Sequence, residues 1–145
     1  MRRDQRSPGA GNQIATAAIF DEPLLTCGAH PTNLLANPAV EMIKSIPAVW
    51  DETIVLPMSE IGELAAFARR NGDSWFLAVL NGPEAKTVKV PLSFLGPGEY
   101  RAMRVRDRKD DAAAEEIKNI TVSRTNSMAI DLSSGGGFIA RFVRK

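Results

Sequence analysis

The sequence predicts a mainly β protein: an eight-stranded antiparallel β-sandwich preceded by two helices. Three observations carry this. After Pro47, short runs rich in Val, Ile, Phe and Trp recur at regular intervals between turn residues, the texture of a sandwich or barrel. Before Pro47, apolar residues fall at helical spacing. Between two of the apolar runs stands Asn71-Gly72, a dipeptide that readily takes the positive φ angles of a tight hairpin. With 145 residues, 44% of them hydrophobic, the chain has room for one ordinary core, or one core with a short appendage.

Residues 1–11 (MRRDQRSPGAG) mix charge with Ser-Pro-Gly, show no hydrophobic period and read as a disordered lead-in. From Asn12 onward, Ile14, Ala17, Ala18, Leu24 and Leu25 follow a helical period that Pro23 bends or ends. A second helix opens at Asn37-Pro38, where Asn caps free amides and Pro loses nothing by lacking its own. Val40, Ile43 and Ile46 form its apolar face, and Pro47 stops it.

Eight strands follow: Thr53–Leu56, Glu63–Arg70, Ser74–Leu80, Thr87–Leu92, Tyr100–Arg106, Ile117–Ser123, Met128–Leu132 and Gly137–Val143. Ser74–Leu80 is apolar on both faces, so it belongs in a sheet centre covered on both sides. Thr87-Val88-Lys89-Val90 alternates, with one face in the core and one in water. Gly96-Pro97-Gly98 and Arg124–Ser127 supply turns. Arg106–Glu116 is highly charged and reads equally as a solvated loop or a short exposed helix.

Charge and composition exclude several functions. A formal net charge of +1, with both signs interspersed, offers no field suited to nucleic acid or to an acidic membrane. No apolar run approaches the roughly 18 residues of a membrane span. Met1–Arg6 is basic, but Ile14–Phe20 is short, alanine-rich and closed by Asp21 and Glu22, so no export signal is read. One cysteine, Cys27, excludes a disulfide framework within the chain. With His30 alone beside it, a four-ligand Cys/His zinc site cannot be assembled, and Cys27 reads as a small buried hydrophobe.

The acidic residues suggest no active site. A carboxylate pair working as acid and base must address one reacting bond from about 5 to 9.5 Å apart. Asp51-Glu52 is the tempting pair, but neighbours in a strand point to opposite faces. These residues read as structural, with Trp50 in packing at the junction of the helices and the sandwich and Asp51 and Glu52 hydrogen-bonded or ion-paired there. Glu60 and Glu63 flank Gly62 in a turn, Asp110-Asp111 and Glu115-Glu116 lie in the charged segment, and no loop has the spaced acidic pattern of an EF-hand. Gly135-Gly136-Gly137 lacks the Lys-Ser/Thr and helix of a phosphate loop and reads as a turn. Asn119-Ile120-Thr121 fits a glycosylation pattern inside a strand.

Four separated motifs carry a family resemblance. Val40-Glu41-Met42-Ile43-Lys44-Ser45-Ile46-Pro47-Ala48-Val49-Trp50-Asp51-Glu52-Thr53 resembles the segment that joins barrel to C-terminal domain in glycoside hydrolase family 97. Ala68–Phe76 resembles that family's first long hairpin, and Leu92-Ser93-Phe94-Leu95 and Gly135-Gly136-Gly137-Phe138 resemble later landmarks, in matching order and spacing. The resemblance runs from about Gln13 to the C-terminus and implies an α-glucosidase or α-galactosidase parent. Such a parent has an N-terminal sandwich, a (β/α)8 barrel and a C-terminal sandwich described as an oligomerisation domain.

On this basis residues 12–47 are the terminal helices of a truncated (β/α)8 barrel and residues 48–145 the C-terminal sandwich. The family's catalytic carboxylates and calcium-binding glutamates lie before the matched region. None is therefore carried onto this chain, and calcium is expected in the upstream catalytic domain. The resemblance implies a non-catalytic structural or oligomerisation domain, a truncated or split product inactive by itself, from a family usually exported or periplasmic. Its partner would be the upstream barrel or a second copy. The alternative is a carbohydrate-binding module, which needs aromatics exposed on one face. Trp50 and Trp75 on one open face would favour it; both in packing contacts would favour the structural reading. Helices built to pack on a barrel would also leave apolar faces open in the barrel's absence.

Overall fold

A computed structural model describes residues 10–19, 40–107 and 115–145. Helix α1 spans Ala10–Ile19 and α2 spans Val40–Ser45. The strands are β1 (Glu52–Val55), β2 (Leu64–Asn71), β3 (Ser74–Asn81), β4 (Lys86–Pro91), β5 (Glu99–Asp107), β6 (Glu115–Ser123), β7 (Ser127–Leu132) and β8 (Gly137–Arg144). All eight strands read from the sequence are present and antiparallel, with bounds shifted by one to a few residues. The helix α1 begins at Ala10, two residues inside the stretch read as lead-in. Asn37-Pro38, Pro23, Cys27, His30 and Asp110-Asp111 lie outside the described residues.

The strands form two unequal layers. Six pair in the order β1-β2-β3-β8-β5-β6, and β4 pairs with β7 as a separate two-stranded sheet. The apolar sequence of β3 explains its place: it lies between β2 and β8, and Trp75 through Val79 are all buried. Odd residues Trp75, Leu77 and Val79 face inward to the small sheet, joined by Phe138, Ala140 and Phe142 of β8 and by Val90, Met128, Ile130 and Leu132 of β4 and β7. In β4 the expected alternation holds, with Thr87 and Lys89 exposed and Val90 buried.

Even residues Phe76 and Ala78 face the other way, with Val105 and Ile139. This outer face is covered by Ile14, Ala15 and Ala18 of α1 and Met42 of α2, all buried. The apolar faces expected to lie open at these positions are therefore closed by the chain's own sheet. The physical reason lies in the layers: two strands cannot cover both sides of six, and the apolar outer face of β3 and β8 demands a second cover. Glu41 in the first turn of α2 and Lys44 in its last suit the helix dipole.

Two local readings are corrected. The β2–β3 turn is centred on Gly72-Asp73, with Asn71 paired to Ser74 as the last residue of β2. Gly72 has φ 57° and, among the described residues, none other than glycine has positive φ, so glycine occupies the first central position as in a II′ turn. In the charged segment, β5 and β6 reach inward from both sides, with Arg106 paired to Glu116 and Asp107 to Glu115. Residues 108–114 lie outside the described residues.

Candidate interaction site

The chain crosses from α2 to β1 through residues 46–51, and this crossing is fixed by side chains of β2. Trp50 stands on the outer face, edge-on to Phe76 with ring centroids 5.2 Å apart and planes at 80°. The Arg69 guanidinium lies 5.0 Å from the centre of the Trp50 ring. Arg69 is only 3% exposed. Its Nε donates to Thr53 Oγ1 at 2.9 Å, and its Nη1 donates to the carbonyls of Ala18 at 3.1 Å and Ile19 at 3.3 Å. The last turn of α1 has no basic residue of its own, so a cation from β2 supplies hydrogens to its terminal carbonyls and meets the negative end of its dipole.

Asp51 and Glu52 hold the same crossing from the solvent side. The Gly72 amide donates to Asp51 Oδ2 at 2.7 Å, the Asp51 amide donates to the Arg70 carbonyl at 2.8 Å, and Asn71 Nδ2 donates to the Val49 carbonyl at 2.9 Å. Arg70 lies 3.3 Å from Glu52 and 3.9 Å from Asp51. Both carboxylates thus meet one guanidinium, because Asp51 precedes β1 and strand alternation does not apply to it. These ion pairs are exposed and each contributes little, about 0–1 kcal/mol. The charge-assisted bond to Gly72 is the stronger contact.

A second surface lies on the outer face toward the other end of the β1–β2 pair. At the β1–β2 edge an open groove of about 420 Å³ is bordered by Val55, Phe67 and Leu80 and by the turn carrying Ile61. Val55 is 59% exposed and Ile61 fully exposed. Register pairs Val55 with Phe67, so both stand on the same face. The turn is closed by the Glu60–Leu64 bridge and by Gly62 at φ 82°. Glu63 on this turn lies 3.8 Å from Lys86. The groove was not read from the sequence; its one signal is Ile61, an apolar residue between Glu60 and Gly62 in a turn, where no strand partner buries it.

Among the described residues, no three His, Cys, Asp or Glu side chains gather as metal ligands, and no helix is long and apolar enough to cross a membrane. Trp75 lies on the inner face, 8% exposed and 5.3 Å from Phe94. Trp50 lies on the outer face against Phe76 and Arg69. The two tryptophans therefore share no open face and both are in packing contacts.

Comparison with known proteins agrees with this architecture. The family described as "Glycosyl-hydrolase 97 C-terminal, oligomerisation" matches residues 49–143. A retaining alpha-galactosidase of Bacteroides thetaiotaomicron is 31% identical over 130 residues, covering 87% of this chain and 20% of that protein. The structure of a glycoside hydrolase family 97 enzyme from a Pseudoalteromonas species, in complex with acarbose, superposes with TM-score 0.86 at 25% identity, over 94% of this chain and 22% of that one. A beta-arabinopyranosidase structure superposes with TM-score 0.78 at 27% identity, over 94% and 21%. The chain spans about a fifth of the length of these relatives.

Proposed function

The chain belongs to glycoside hydrolase family 97, as its C-terminal oligomerisation part, and from that premise we propose that it acts as a non-catalytic interaction domain for an α-glycosidase. The outer sheet face is the proposed contact surface and the upstream catalytic domain its partner. The observation that carries this is the placement of the groove. Helices α1 and α2 already lie on the outer face, and on the same face Val55, Phe67 and Leu80, with Ile61 in the turn, leave apolar surface uncovered.

Trp50, Asp51 and Glu52 are proposed as residues of the domain junction. Their contacts to Arg69, Arg70 and Gly72 supply a fixed path between the helices and the sandwich. Catalysis is assigned upstream, since Asp51 and Glu52 are held by Arg70 and Glu63 lies beside Lys86. Calcium takes six or more oxygen ligands. The described side chains do not fit it, and any calcium of the parent enzyme is placed upstream as well. The opposite placement of the two tryptophans speaks against a sugar-binding platform.

The test is hydrolysis of 4-nitrophenyl α-glucoside and α-galactoside by the purified chain, alone and mixed with the upstream polypeptide of the same enzyme. No turnover alone, with turnover raised by mixing, is the expected outcome. Turnover by the chain alone would overturn the assignment.

A further inference from the structure

We propose that Asn71 is a deamidation site held in check by the junction, so that losing the junction's contacts switches on a one-way chemical change in the β2–β3 turn. Asn71 is followed by Gly72, whose missing side chain leaves its amide nitrogen open to approach. Gly72 is exposed, and even an added Cβ would meet nothing within 4 Å. In the reaction the deprotonated Gly72 nitrogen attacks Cγ of Asn71. An N–Cγ bond forms, the Cγ–Nδ2 bond breaks, and the nitrogen leaves as ammonia after taking protons from solvent. Water then opens the succinimide at either carbonyl, giving aspartate or isoaspartate. The sum is asparagine plus water to aspartate plus ammonia, with no change of oxidation state.

Three contacts oppose each requirement of that step. The Gly72 amide hydrogen is donated to Asp51 Oδ2 at 2.7 Å, so the nucleophile must give up a charge-assisted bond. Asn71 Nδ2 is tied to the Val49 carbonyl at 2.9 Å, which fixes the carboxamide. Asn71 is also in ladder register with Ser74, which opposes the backbone rotation that ring closure needs.

The product would not restore these contacts. A carboxylate at position 71 loses the hydrogen donated to Val49 and adds negative charge near Asp51. An isoaspartate lengthens the backbone at the edge of a two-residue turn. Once begun, the change loosens the same crossing that delayed it.

The test follows wild-type chain, Asp51→Ala and Arg70→Ala at mildly alkaline pH, reading aspartate and isoaspartate at position 71 by peptide mass spectrometry. Folded wild type is expected to react at least about tenfold more slowly than the same chain in urea. Folded Asp51→Ala should react about tenfold faster than wild type, the effect of one lost hydrogen bond to a charged group. Arg70→Ala removes the hydrogen bond that Arg70 Nη1 donates to the Gly72 carbonyl at 3.1 Å but not the one that Gly72 donates to Asp51, and it should stay within about threefold of wild type, less than half of that free-energy effect. Equal rates for folded and urea-unfolded wild type, or for folded Asp51→Ala and wild type, would overturn the proposal. If circular dichroism finds Asp51→Ala unfolded, the wild-type comparison in and out of urea decides alone.

Discussion

The guanidinium of Arg69 lies over the indole of Trp50, 5.0 Å from its centre, and the same buried arginine hydrogen-bonds the last carbonyls of α1. One side chain of β2 therefore ties together the helix before the crossing, the crossing itself and, through Thr53, the first strand. The outer layer depends on this contact more than on the exposed ion pairs around it.

Arg69→Met should accordingly lower stability by about 3 kcal/mol, because it leaves acceptors in a buried setting without their charged donor. Arg69→Lys keeps the charge but not the fork and should recover less than half of that loss. A double-mutant cycle with Trp50→Leu, read by urea unfolding, should give a coupling of about 1–2 kcal/mol.

Ala15 and Ala18 are fully buried between α1 and the sheet. Ala15→Asp should place a charge with no room for water against Phe76, Ala78 and Ile139 and cost several kcal/mol. Thermal melting checks this. A melt unchanged from wild type would mean that α1 does not cover the outer face in solution.

Two glycines should respond differently to alanine. At Gly72 an added Cβ finds open space, so Gly72→Ala costs only the strain of positive φ, about 1 kcal/mol. At Gly82 the added Cβ would stand 2.7 Å from the Glu63 carbonyl oxygen and 2.8 Å from that of Gly62. Backbone cannot yield as a side chain can, and Gly82→Ala should cost about 2–3 kcal/mol. Urea unfolding of both variants ranks them.

Much of the fold was legible because strand period and turn residues act locally. Ser74–Leu80 announces a doubly covered central strand, and Thr87–Val90 a half-exposed one, whatever their partners. The six-to-two division of strands was not legible, because pairing β8 between β3 and β5 joins residues distant in sequence. The cover of the outer face by α1 was missed for the same reason: Ile14 and Ala18 show a helical face without showing what it meets. The turn centre slipped by one residue because Asn-Gly and Gly-Asp both suit a two-residue turn, and only the φ of Gly72 decides between them.

The site was legible in part. Trp50, Asp51 and Glu52 stand out as a polar and aromatic group between helix and strand. Arg69 and Arg70, their partners, look in the sequence like any charged pair near a hairpin. Alternation sends Arg69 to the buried outer face and Arg70 to Glu52 near the solvent. The groove was illegible because its walls come from β1, β2, β3 and a turn, and only Ile61 is out of place locally.

The most direct test of the interaction surface is sedimentation velocity of the chain mixed with the upstream polypeptide of its enzyme, for wild type and for Ile61→Glu with Val55→Glu. Both residues are exposed, so the variant should keep its stability to within about 0.5 kcal/mol per site. A complex formed by wild type and lost in the variant is the expected result. A complex that forms equally well with both would contradict the assignment of this groove as the contact surface.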